Sequence, residues 1–251
     1  QNVQENTIAH ELFHHWFGDL VTAESWSNLT VNESFANYSE YLWREYKYGL
    51  DDADALLLDD VEGYKQGKNY DKHLVRFYYK DKEDMFDAVS YNKGGAILHM
   101  LRKYVGDDAF YASLNKYLVD HKYKTGEAHQ LRLAFEEVTG KDLNWFFNQW
   151  YFNSGHPKIE VSYDYNILEK TVAVNIYQTD KVFQFPLTID IVEEGKTIRH
   201  QVFINGKDGS FLFSYNKAPE VILVNADGVL LADFTENKSL KQSISQLKYA
   251  T

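Results

Sequence analysis

The sequence predicts an α+β chain: a mostly helical segment over residues 1–156, an antiparallel β-sandwich over 157–236 and a helical tail over 237–251. Three observations carry this. Up to about residue 156 the apolar residues recur at intervals of three and four, the period of a helix with one buried face. From Pro157 onward the period drops to two, as in a strand buried on one side. Between the two lies "NSGHPK", which puts a glycine and a proline where the rhythm changes.

The helical period runs through "ESFANYSEYLWREYKYG", "GGAILHMLRKYVG", "DDAFYASLNKYLVDH", "HQLRLAFEEVTG" and "LNWFFNQWYF". Gly18, Gly49, Gly106 and Gly140 follow periodic runs, where a left-handed residue commonly ends a helix, and Asp107 stands where it could cap the next one. The alternating half contains about seven short strands, among them "KIEVSYDYNI", "KTVAVNIYQ" and "FPLTIDIVEEG", joined by turns such as "NGKDG" and "NADG". The tail "SLKQSISQLKYAT" is amphipathic and has no helical partner in a sandwich, so it is expected to begin a further helical domain.

Composition narrows the functional classes. The chain has 251 residues, 44% hydrophobic and 25% charged, a globular balance. Its 26 Lys and Arg against 37 Asp and Glu give a formal charge of −11, which would be repelled by nucleic acid and by anionic membrane surfaces. No apolar run approaches the roughly 18 residues of a membrane span. There is no cysteine, so a metal ion would have to be held by His and carboxylate.

The chemistry is concentrated in "HELFHHWFGDL". On a helix, His10 and His14 are about 400° apart, so both imidazoles leave one face a single turn apart. Glu11 sits about 100° around from His10, where its carboxylate could take a proton from water beside a bound metal. Catalytic zinc usually takes three protein ligands and leaves a fourth position for water. After eighteen further residues comes Glu33, in "LTVNESFANYSEYLW". The alternative pattern with a third histidine needs Gly and His where this chain has Phe17 and Leu20. His10, His14 and Glu33 are therefore the expected ligands of one zinc ion, and no organic cofactor is indicated.

"HELFHHWFGDLVT" followed by "SWSNLTVNESFANY" resembles the zinc aminopeptidases of the aminopeptidase N and leukotriene hydrolase family, a gluzincin group with a thermolysin-like catalytic domain. The resemblance implies the same ligands, Glu11 as general base, and release of N-terminal residues from peptides. "FDAVSYNKGGAILHML" resembles the family segment that supplies a tyrosine to the active site, and the matching residue is Tyr91. Members also carry an N-terminal β-rich domain and a Gly-x-Met-Glu-Asn motif for the substrate's amine. Neither occurs here, so the segment alone is expected to bind zinc and to be a weak or inactive peptidase, with missing N- and C-terminal domains of the same protein as its partners.

Around the Glu33 helix, Asn37 and Glu40 lie about 40° and 20° from the ligand and share its face; either could orient a zinc-bound imidazole, and Glu40 is favoured. His15 points about 100° away from His14 and suits a pocket wall. Asp19 reads as a turn residue and Lys93 as surface or helix start. "NLT", "NES", "NYS" and "NKS" are formal glycan sequons, read as coincidence because one contains Glu33. Two other readings are weighed: a non-catalytic zinc-containing binding module, and a zinc hydrolase of non-peptide substrates. Peptide digestion outside the cytoplasm, in the periplasm or beyond the cell, suits a chain without cysteine.

Overall fold

The computed structural model describes residues 3–67 and 70–249. The chain divides into two units, Gln1–Gly155 and His156–Thr251. The first contains helices α1 (Val3–Phe13), α2 (Thr30–Tyr48), α3 (Leu50–Gln66), α4 (Gly94–Val105), α5 (Asp107–His121), α6 (Ala128–Thr139) and α7 (Asn144–Trp150). Two short strands the helical period had not suggested, β1 (Val21–Ala23) and β2 (Lys124–Gly126), pair in parallel.

Helix α2 is the axis of this unit and packs against α1, α3 and α4. Its residues from Thr30 to Ser39 are buried without interruption, polar ones included. A helix buried on every side must satisfy its polar groups internally or aim them at a site. On the apolar side Phe35 stacks on Phe17 with ring centroids 4.0 Å apart. On the α4 side contact is closer than a side chain permits: a Cβ on Gly94 would lie 1.9 Å from Ser34 Oγ, and one on Gly95 2.3 Å from Asn37 Oδ1. Gly94→Ala is thus expected to destabilise by about 1–3 kcal/mol, the usual cost of overpacking, measurable as a lower denaturation midpoint at unchanged slope.

The helix-ending glycines divide by mechanism. Gly140 is left-handed and closes α6, while Gly49 and Gly106 have positive φ with extended ψ. Gly18 is different, because its φ is not positive. A Cβ there would lie 2.5 Å from the carbonyl oxygen of His14, so the requirement at this position is space. Asp107 is the first residue of α5, with Gly106 at the cap, and its carboxylate pairs with Arg102 at 2.7 Å.

The second unit contains β3 (Lys158–Asn166), β4 (Thr171–Gln178), β5 (Phe185–Glu193), β6 (Lys196–Ile204), β7 (Asp208–Ser214), β8 (Val221–Val224) and β9 (Asp233–Glu236), followed by α8 (Leu240–Tyr249). The strands form two sheets, ordered β7-β4-β3-β9 and β6-β5-β8. The expectation of purely antiparallel pairing is corrected here: β9 runs parallel to β3, so the first sheet is mixed. Alternation reports which face is buried and carries no information on strand direction. After β8 the chain turns at Asn225 and Gly228, both with positive φ, buries Leu230 to Ala232 and enters β9 alongside β3. Helix α8 buries none of its residues, yet Tyr249 packs against Val192, Val221 and Leu223 and donates to Glu220 at 3.0 Å. No helix among the described residues is long and apolar enough to cross a membrane.

Candidate metal centre

Helix α1 ends at Phe13, so His14 lies in the turn that follows, not on the helix that carries His10. The chain tightens there, with His15 N–H donating to Leu12 O across three residues. The imidazoles still meet, their centroids 5.0 Å apart and nearly perpendicular. Glu33 reaches them from the first turn of α2. Its Oε2 lies 3.4 Å from Nε2 of His10 and 3.5 Å from Nε2 of His14. Ligand atoms of these three residues all lie within 4.8 Å of one another. Among the described residues this is the group of three His and carboxylate side chains that could hold an ion.

Those separations exceed the usual 2.7–3.2 Å of an N–H···O bond, and Glu33 Oε2 is buried with no hydrogen-bond partner. A buried carboxylate oxygen without a partner is costly, and here it faces two ring nitrogens across a small gap. The opposite nitrogens are engaged. His10 Nδ1 lies 3.1 Å from Glu40 Oε1, and His14 Nδ1 donates to the carbonyl of Phe17 at 3.1 Å. A carbonyl only accepts, so His14 carries its proton on Nδ1 when neutral and keeps the Nε2 lone pair for another partner. The Phe17 carbonyl is a site component that sequence pattern could not reveal, since any residue supplies one.

Electrostatics match this arrangement. Burial lowers the His10 pKa, but the facing carboxylates Glu33 and Glu40 outweigh it and push the group up to about 9. For His14, Glu33 is the largest influence and raises it against burial. Burial pushes the Glu33 carboxyl up, and the two imidazoles bring it down to about 2. Without a metal, Glu33 favours the protonated form of both imidazoles, and a divalent cation would take the place of those protons with its own charge.

Tyr91 stacks on His10, with centroids 5.9 Å apart and planes 6° apart. It lies in a π-helical turn, Val89–Lys93, leading into α4. Burial, then the charge of Glu33, pushes its phenol well above the ordinary range, with Glu11 contributing, so the hydroxyl stays protonated as a donor. Glu11 is exposed and lines an open groove with Ile8, Leu12 and His15. A second groove runs from His14 and Glu33 past Trp26 and Phe86.

Of the two residues expected to orient an imidazole, Glu40 contacts His10, while Asn37 lies near the Asp60 carboxyl and favours its charged form. Asp60 was absent from the expected set because it stands on another helix at no diagnostic spacing. Lys93, expected at the surface or at a helix start, caps the start of α4 and is fully buried, with Nζ 5.7 Å from the centroid of the Tyr64 ring. His15 is exposed and pairs with Asp19 at 3.1 Å. Three sequon asparagines, Asn28, Asn32 and Asn37, are buried and inaccessible to a glycan.

Comparison with known proteins gives a consistent family. The chain is 34% identical over 166 residues to tricorn protease-interacting factor F2 of Thermoplasma acidophilum, covering 62% of this chain and 20% of that protein. It is 32% identical over 161 residues to aminopeptidase M1 of Arabidopsis thaliana, covering 61% and 18%. With aminopeptidase N of Lactococcus lactis it shares 34% over 166 residues, covering 61% and 19%. The chain thus spans about a fifth of the length of these curated relatives. The crystal structure of Legionella pneumophila aminopeptidase A in complex with aspartic acid matches 98% of this chain and 28% of its own, with a TM-score of 0.82 at 21% identity, and so shares the fold. A model of the peptidase family M1 domain matches residues 1–150, which include every residue of the cluster, and the chain belongs to that family.

Proposed function

We propose that this chain is the metal-holding part of a zinc aminopeptidase that removes N-terminal residues from peptides. The observation that carries the reading is Glu33 Oε2, buried without a hydrogen bond and facing the Nε2 atoms of His10 and His14. Two imidazoles and a carboxylate are a common donor set of catalytic zinc, and the fixed outer hydrogen bonds of both rings suit it. When bound, such an ion supplies Lewis acidity, polarising a carbonyl and making water acidic enough to give up a proton near neutral pH.

The chain's own groups divide the remaining work. Glu11 accepts the proton of the attacking water and returns it to the leaving amine, leaving no covalent intermediate on the protein. Its exposure on the open groove suits a group that must reach both water and substrate. Tyr91 donates a hydrogen bond to the oxygen on which negative charge develops, and its raised pKa keeps that proton in place. Glu40 holds His10 by Nδ1, and the Phe17 carbonyl holds His14. The relatives' greater length supports a further element of the proposal: efficient turnover and choice of N-terminal residue depend on parts of a longer protein.

Zinc quantitation after dialysis, paired with hydrolysis of aminoacyl anilides, tests the reading. One zinc per chain with hydrolysis in the chain or a longer form is expected; a chain that takes up no zinc at micromolar concentration would defeat it. Glu40→Gln replaces the anionic partner of His10 Nδ1 by a neutral one. It is expected to weaken zinc affinity about 10–100-fold, read by competition with a chelator.

A further inference from the structure

Asp60, on α3, lies outside the groups used above, yet its carboxylate holds the element that carries Tyr91. Asn92 Nδ2 donates to Asp60 Oδ1 at 2.7 Å. Asn37, on α2, stands near enough to the same carboxyl to favour its charged form, and α2 and α3 pack against each other. Asn92 is the neighbour of Tyr91 in the π-helical turn, and Asn37 lies between Glu33 and Glu40 on α2. Space for Asn37 is built into the backbone, since a Cβ on Gly95 would lie 2.3 Å from its Oδ1.

We infer that Asp60 is a positioning residue, which ties the turn bearing Tyr91 to α3, itself packed on the helix bearing Glu33 and Glu40, and so fixes the phenol over His10. The inference rests on the peptidase reading for its catalytic meaning, but the tie itself does not require it. A π-helical turn has weaker internal bonding than an α-helix and often marks a functional position, so an external anchor on its Asn92 has a definite job. Burial and the charge of Glu40 push the Asp60 carboxyl up to about 6, while the amides of Asn37 and Asn92 draw it back. A carboxylate kept in so unfavourable a place and bonded to Asn92 is poorly explained as ordinary surface charge.

Incorporation of 3-fluorotyrosine into the full 251-residue chain, without metal, gives a direct test. Tyr91→Phe assigns the resonance of Tyr91 among the 19 tyrosines. Asp60→Ala is expected to shift and broaden that line. Leu57→Ala, which removes packing from the same helix, is expected to lower the melting temperature and leave the line in place. Asn92→Ala breaks the tie from its other end and should reproduce the effect of Asp60→Ala, which keeps the test open if the latter fails to fold. An unmoved Tyr91 resonance in the folded variants, or an equal displacement in Leu57→Ala, would overturn the inference. In a form with measurable turnover, Asp60→Ala should lower kcat about tenfold at unchanged KM and add nothing to Tyr91→Phe; additive losses would contradict it. Absence of zinc or hydrolysis would sink the peptidase reading alone, because the fluorine measurement needs neither.

Discussion

Glu11→Gln is expected to leave one zinc per chain and to reduce kcat for peptide hydrolysis by about 10²–10⁴-fold, the range removed with a general base. The substitution keeps shape and polarity and deletes only basicity. Glu11 makes no contact with the ring nitrogens that face Glu33, and its side chain is exposed on the groove, so its replacement should not disturb folding or metal retention. The measurement is kcat and KM beside metal content. A fall in kcat with zinc intact supports the assignment, whereas wild-type turnover removes Glu11 from the chemistry. Parallel loss of metal and activity would instead make it a structural member of the cluster.

Glu33→Ala should have the opposite profile, with zinc lost first. The carboxylate faces both imidazoles, and its Oε2 is buried without a hydrogen bond. Two histidines alone form an incomplete site for tetrahedral zinc. Ligand linkage converts this into a stability difference: at zinc about 1,000-fold above its dissociation constant, the wild-type chain gains about 4 kcal/mol and the variant gains none. Thermal unfolding with and without added zinc measures it. A variant stabilised by zinc as strongly as wild type would show that the ion binds elsewhere.

The legibility of this protein in its sequence followed the range of the interactions. His10 and His14 could be paired because helical periodicity is local, and Glu33 because one spacing links two neighbouring elements. The finer geometry escaped. His14 lies past the end of α1, held by the Phe17 carbonyl, and Gly18 is required by the approach of His14 O. Both follow from a turn whose shape depends on tertiary contacts. Asn37 and Glu40 shared a helical face with Glu33, yet rotation about the axis could not tell which neighbour each would meet; Glu40 met His10 on α1, while Asn37 lies near Asp60 on α3. Lys93 read as surface or helix start; it does cap the start of α4, and its burial against Tyr64 depends on how α3 meets the π-helical turn. In the second unit alternation marked the strands and their buried faces, while the parallel entry of β9 was set by the path after β8.

The most direct test of the central claim is anomalous diffraction at the zinc absorption edge from crystals grown with stoichiometric zinc. The account predicts a single strong peak per chain, bonded to Nε2 of His10, Nε2 of His14 and a carboxylate oxygen of Glu33. Nitrogen distances of about 2.0–2.1 Å and an oxygen distance of about 2.0–2.2 Å are expected. A chain without such a peak, or with zinc bound away from these three side chains, would contradict it.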